Sequence, residues 1–173
     1  IATALQCIVY VRREGGIRVQ KAHIEDEGDK EYRAVMLDLV PWHTLRQVLR
    51  FMDVCFYFKI PFVHLHLIDN TACRVPSKAF PNITAKKHYS YEDIKIMRDY
   101  AKARGLTLIP EYEVPGHARQ LGTHYPEVFG NKLDGNPGEE KSEIGSSIII
   151  EDVVCAGSEK CMDGIKTMLS EMM

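Results

Sequence analysis

No stretch of this 173-residue chain is apolar for long enough to cross a bilayer as a helix, and its opening residues do not read as a signal peptide. An excess of one charge is missing too. The 22 Lys and Arg against 24 Asp and Glu leave a net charge of -2, which excludes a general electrostatic attraction to nucleic acid or to a membrane surface. The five cysteines, Cys7, Cys55, Cys73, Cys155 and Cys161, form no CxxC pair and no zinc-finger spacing, so a structural metal site is not expected. Cys155 and Cys161 are spaced to close a small loop. The odd count leaves at least one thiol free or a partner outside the chain, and the compartment open. Internal repeats and low-complexity tracts are absent as well. What is present is ordinary for a globular protein, 45% hydrophobic and 27% charged, with length enough for one sizeable core.

Chemistry concentrates in Leu106 to His117, an apolar run ending in two carboxylates, a turn and a histidine. Leu106, Leu108 and Ile109 suit a parallel strand buried on both faces. Glu111 and Glu113 then lie two apart, on one side of an extended chain. Pro115-Gly116 predicts a turn with glycine in an unusual conformation, which carries His117 back toward the acids. The pattern occurs twice more: Ala34 to Leu39 and Phe62 to Asp69 are apolar runs with an acid near the end. In parallel α/β sheets and barrels, ligands bind at the C-terminal ends of the strands. Asp38, Asp69, Glu111 and Glu113 are therefore expected to face one pocket.

Between these strands the periodicity is helical. Leu45, Val48, Leu49, Met52, Cys55 and Phe56 form a stripe within Thr44 to Phe58. Ser90 and Asp93 fit a capping box for a second helix, with Ile94, Met97, Tyr100 and Ala101 inward and Gly105 as a left-handed cap. The connection from Asn70 to Tyr89 is long enough to be a functional loop or a disordered one. Toward the N-terminus, Ala2 to Val11 reads as part of one element, Arg12 to Gly16 as a charged turn, Ile17 to Ile24 as an edge strand and Glu25 to Glu31 as a polar connector. Since Ile1 to Val11 looks like the middle of an element, the chain is expected to be a piece of something longer. Toward the C-terminus, Gly130 to Ser147 reads as a polar excursion and Ile148 to Val154 as a short extended segment. A last helix capped by Ser158 is expected to turn Met162, Ile165, Leu169 and Met172 inward, weakened by Gly164. The order strand, helix, strand, helix, strand argues for right-handed parallel units and an α/β fold.

Four strings then bring a family into view: Arg33-Ala-Val-Met-Leu-Asp38, His64-Leu-His66-Leu-Ile-Asp69, the helix Ser90 to Gly105, and Pro110-Glu-Tyr-Glu-Val-Pro-Gly-His117. From about Tyr32 to Gly130 the chain resembles the catalytic barrel of glycoside hydrolase family 20, the β-N-acetylhexosaminidases. The resemblance implies a (β/α)8 TIM-type barrel, of which about the first three strand-helix units are here. It makes residues 32–173 the N-terminal part of that barrel and residues 1–31 the tail of a preceding small α/β domain with its linker. It implies hydrolysis of terminal β-linked N-acetylhexosamine from glycans or glycoconjugates, with the substrate's own acetamido oxygen as nucleophile and without metal or organic cofactor. No nucleic acid or membrane partner is implied, a homo-oligomer is left open, and an extracytoplasmic compartment fits the family.

Residue by residue, Arg33 would grip the sugar hydroxyls with its planar fork of donors. Glu111 and His66 join it in substrate binding, and His64 pairs with His66. Asp69 and His117 would act as one unit that orients and tunes the catalytic acid, supported by Glu113 where the family usually has Asp. The family's Asp-Asp-Gln-x-Trp-Arg is here Asp69-Asn-Thr-Ala-Cys-Arg74, Ala34 replaces a glycine, and Pro41-Trp42-His43 replaces an Arg-His pair. The catalytic Asp-Glu pair belongs to a Gly-Gly-Asp-Glu string that these 173 residues do not contain. Hence the chain by itself is expected to hydrolyse nothing. Two other readings stand beside this one: an inactive sugar-binding homologue, and a metal-dependent barrel hydrolase using His64 and His66 with Asp69 or His117.

Overall fold

A computed structural model describes residues 2–7, 10–13, 16–19, 21–130 and 152–172. The centre is a parallel sheet in the order β3-β4-β5, formed by Ala34–Asp38, Phe62–Ile68 and Thr107–Tyr112. Helices α2, Leu45–Tyr57, and α3, Tyr91–Lys102, connect these strands as the sequence rhythm predicts. Ahead of them lie α1, Ala2–Cys7, and an antiparallel pair, β1 Tyr10–Arg13 and β2 Gly16–Val19; α4 Arg119–His124, α5 Pro126–Phe129 and α6 Glu159–Ser170 follow the sheet.

The pleat explains which side chains reach the site. In register, Val35 pairs with Val63 and Leu37 with Leu65, while Met36 pairs with His64 and Asp38 with His66. One face therefore carries Val63, Leu65 and Leu67, all buried and part of the core with Met52 and Met97 of the helices. The other carries His64, His66 and Glu111. Burial on both faces, expected of all three strands, does not hold: β3 borders the sheet and Met36 keeps 56% of its surface exposed.

Both connecting helices begin with a full capping box, Thr44 with Gln47 and Ser90 with Asp93. They also end alike. After α3, Gly105 takes φ +67° and the amides of Gly105 and Leu106 close onto the carbonyls of Lys102 and Ala101, the two bonds of a Schellman cap. After α2, Lys59 at φ 58° does the same with Ile60, against Phe56 and Cys55. A lysine holds this left-handed position while its ammonium pairs with Asp26 at 2.9 Å.

The long connection from Asn70 to Tyr89 is neither disordered nor loose. Cys73 bridges to Ile68 and Thr84, a short 3-10 turn covers Pro81–Ile83, and Val75, Ile83 and Tyr89 are buried. Arg74 ties it down by donating to the carbonyls of Val40 and Lys87, and the Trp42 ring stacks on Tyr89 at 5.0 Å. Glu171, just past α6, accepts from the amides of Lys78 and Ala79.

Several sequence expectations are corrected. Ala2 to Val11 holds a helix followed by the start of a strand, Arg12 and Arg13 lie in β1, and the strand expected over Ile17 to Ile24 covers only Gly16–Val19. Residues 131–147 and 148–151 lie outside the described residues, and 152–154 form no strand. Cys155 and Cys161 do not bond, since all five cysteines are free thiols. Helix α6 keeps part of its expected face, since Ile165 and Met172 pack against the core, but Cys161, Gly164 and Met168 are buried while Met162 and Leu169 are exposed. Gly164 faces inward because it makes room for the fully buried Phe129. A β-carbon on Gly164 would come within 2.8 Å of the Phe129 ring and 2.9 Å of Val128. Gly164→Ala should therefore destabilise the fold by about 1 kcal/mol, because overpacking of roughly 1–3 kcal/mol exceeds the gain of about 1 in helix propensity. A lowered midpoint in urea unfolding would show it, and a raised one would contradict the packing.

Candidate active site

The C-terminal ends of β4 and β5 bring the expected histidines and carboxylates into one chain of contacts. His64 Nε2 lies 2.6 Å from Glu111 Oε2, and the same oxygen meets His66 Nδ1 at 3.1 Å. On its other side, His66 Nε2 faces Glu113 Oε2 at 3.6 Å and Asp69 Oδ2 at 3.9 Å. Glu113 closes the series through Oε1, 2.5 Å from His117 Nδ1. Imidazole and carboxylate thus alternate from His64 to His117, with Asp69 at the centre. His66 is buried, and the flanking groups are half-exposed or open to solvent.

Local chemistry sets this order. Glu111 and Glu113, two apart at the end of β5, both reach His66, which stands opposite Glu111 in the ladder. Register slips by one residue between His66 and Ile68, where the pairing with β5 becomes irregular. The Val114 to His117 turn folds back as expected, but His117 rather than Gly116 takes the left-handed conformation, at φ 47°. Histidine tolerates this region better than most residues, and the cost, of order 1 kcal/mol or more, is borne where the imidazole reaches Glu113.

That contact raises the pKa of His117 above its ordinary 6.5, first through the hydrogen bond His117 donates to Glu113 and then through the carboxylate's charge, with Asp69 and Asp152 adding to the field. The sign follows directly: the pairing stabilises the fold below pH 6.5 and is lost as pH rises through the elevated value. In an NMR titration His117 should titrate above 6.5, and Glu113→Gln should bring it back toward 6.5. An unshifted His117 in the wild-type chain would contradict the contact.

Two expected members stand elsewhere, and one expected contact is absent. Asp38 shares the inward face but is exposed, and its Oδ1 accepts from the Val40 amide at 2.9 Å, so it shapes the end of β3. Arg33 is not brought to the acids: its guanidinium donates to the carbonyls of Lys30 and Lys59, at the N-terminal end of the sheet, and lies against Gly28. Asp69 and His117 do not contact each other directly. The histidine is paired with Glu113, and Asp69 Oδ1 accepts from the amide of Asn70.

Other residues join the site that sequence reasoning passed over. Asn70 binds the start of α4, its side-chain oxygen accepting from the Arg119 amide at 3.1 Å and its carbonyl from Gln120 at 2.7 Å. Asp152 accepts from Arg119 at 2.6 Å and from the Ala118 amide at 2.8 Å, bracing the turn that presents His117. The Asn70 role was visible in its position beside Asp69. Asp152 is brought in only by tertiary folding.

Parallel βα units with carboxylates and histidines gathered at the C-terminal strand ends define a site of the α/β-barrel class. Residues 31–173 match the family model for the glycosyl hydrolase family 20 catalytic domain, and the chain belongs to that family. It is 32% identical over 151 residues to beta-hexosaminidase subunit A2 of Dictyostelium discoideum, covering 83% of this chain and 27% of that protein. To the rat beta-hexosaminidase subunit alpha it is 28% identical over 153 residues, 81% of this chain and 29% of the relative. The fold superposes on the family 20 exo-β-N-acetylglucosaminidase of Vibrio harveyi with TM-score 0.73 and 24% identity, covering 99% of this chain and 30% of that one. It superposes on the Flavobacterium johnsoniae chitobiase with TM-score 0.74 and 22% identity, over 99% and 26%. The chain thus spans between a quarter and a third of the length of these relatives, as the opening units of a barrel.

Proposed function

We propose that the intact protein is a β-N-acetylhexosaminidase-like glycoside hydrolase that removes terminal N-acetylhexosamine from glycans, and that this chain supplies its supporting half. The observation that carries the reading is the alternating series His64, Glu111, His66, Glu113, His117, with Asp69 beside it, in a chain of this family. Such a series holds charge and protons at fixed atoms, which is what a neighbouring general acid needs to stay protonated until it meets the leaving oxygen. On the resemblance, that acid and the group that clamps the acetamide belong to the Asp-Glu pair of the fourth strand.

In this scheme Asp69 supplies a fixed negative charge, His66 and Glu111 line the sugar side, and the Glu113–His117 pair steadies the turn beyond β5. Likeness to the family alone supports Arg33 as a sugar ligand, and its guanidinium would have to leave the carbonyls of Lys30 and Lys59 to serve. Residues 32–173 are taken as barrel and 1–31 as the tail of a preceding unit on the same basis. Among the described residues no helix is long and apolar enough to cross a membrane. The metal-dependent alternative would place an ion as catalyst on His64 and His66, but His64 is already engaged with Glu111 at 2.6 Å.

A pair of fluorogenic substrates tests the reading. The intact protein should cleave an N-acetyl-β-glucosaminide and leave the matching β-glucoside untouched, because only the former carries the acetamido nucleophile. Equal turnover of both would overturn the substrate-assisted mechanism, and turnover of neither would favour a sugar-binding homologue.

A further inference from the structure

We propose that His66, Glu111 and Glu113 bind a divalent cation of the zinc class, and that this ion inhibits the sugar site rather than serving it. His66 is 8% exposed, and its Nε2 points at Glu113 Oε2 from 3.6 Å and at Asp69 Oδ2 from 3.9 Å, beyond hydrogen-bond length. Two ligand atoms bonded to one zinc at about 2.0–2.2 Å stand roughly 3.3–3.6 Å apart, which matches the His66 to Glu113 separation. One ligand atom from each of His66, Glu111 and Glu113 lies within 4.8 Å of the other two, and closure onto a single ion at Nε2 requires Glu111 Oε2 to leave His66 Nδ1, which it meets at 3.1 Å, and swing to the Glu113 side.

The surrounding contacts suit such an ion. Glu111 is held by His64 at 2.6 Å and Glu113 by His117 at 2.5 Å, and outer partners of this kind orient carboxylate ligands. A nitrogen with two carboxylate oxygens favours zinc over magnesium or calcium, which take oxygen ligands and hold water tightly. Three protein ligands leave a fourth position open. Binding of the ion is independent of the functional reading. Its inhibitory effect rests on that reading, since the ion would take the lone pairs and charges that the proposed mechanism needs at Glu111, His66 and Glu113.

Calorimetric titration of zinc chloride into the intact protein tests the site, in a Cys7→Ser background because the Cys7 thiol is exposed. One site is expected, with affinity lowered at least about tenfold by His66→Gln and by Glu113→Gln, about tenfold by His117→Gln, and no binding of magnesium chloride. No zinc binding, or affinity unchanged in both His66→Gln and Glu113→Gln, would overturn the site. In the intact protein zinc should lower turnover of the N-acetylglucosaminide and a chelator should restore it. Zinc binding that depends on these residues yet leaves the rate unchanged would overturn the inhibitory role. The calorimetry decides the site whether or not the protein hydrolyses sugars.

Discussion

Asp69→Asn in the intact protein is expected to lower kcat by roughly 10²- to 10⁴-fold, the range of a lost acid-base contribution, with little change in KM. Asn keeps the shape and removes the charge. Asp69 ends β4 with one oxygen on the Asn70 amide and the other turned to His66, so its negative charge is fixed where β4 and β5 diverge. A charge held at that point stabilises a proton on a neighbouring acid and the positive character of the transition state, neither of which contributes to ground-state binding. Steady-state kinetics on an N-acetyl-β-glucosaminide measures both constants. An unchanged kcat would remove Asp69 from the chemistry, and a rise in KM alone would make it a sugar ligand.

Tyr89→Ala should cost about 3–5 kcal/mol of stability, the range for truncating a buried aromatic. Tyr89 is 1% exposed, donates its hydroxyl to the His43 carbonyl at 2.7 Å and stacks under Trp42, and its amide binds the Arg74 carbonyl. It therefore joins the connection after β4 to the one after β3. Trp42 is the chain's only tryptophan, so its fluorescence reports this junction directly. A midpoint in urea unfolding that falls little, with unchanged Trp42 emission, would contradict the packing. Alkali acts on the same region: burial pushes the Tyr89 hydroxyl up to about 12 and the Cys73 thiol up to about 11. Both are folded in the neutral form, so their contribution to stability is full below the ordinary thiol value of 9.0 and is lost as pH rises through the elevated values.

The three strands and two connecting helices were legible because local signals agreed: apolar runs of strand length, helical stripes, the Ser90 box and Gly105. The Thr44 box was equally legible, with Gln47 three residues on. Lys59 was not, because a left-handed lysine carries no mark in sequence and is fixed by the bonds that close α2. The α6 face was legible at Ile165 and Met172 but not at Gly164, whose burial depends on the Phe129 ring from another helix, or at Met162 and Leu169, which are exposed. Among site residues, the strand ends gave Asp69, Glu111 and Glu113 by position, along with Asp38, which instead caps the Val40 amide; His64 and His66 came with the family strings, and the turn gave His117. The pairing was beyond reach. Which carboxylate His117 meets depends on backbone angles at the turn, and Asp152 comes from a distant segment through Arg119.

The coupling of Glu113 and His117 is the most direct test of the site as one unit. Their contact is 2.5 Å, and the pair has a single task, steadying the turn and the His66 edge beside the general acid. In the intact protein kcat would be compared for Glu113→Gln, His117→Ala and the double variant. The double variant should lose little more than the worse single one, because either change breaks the same pair. Losses that multiply in full would mean that the two residues act separately, and would contradict the connected series from His64 to His117 on which the proposed function rests.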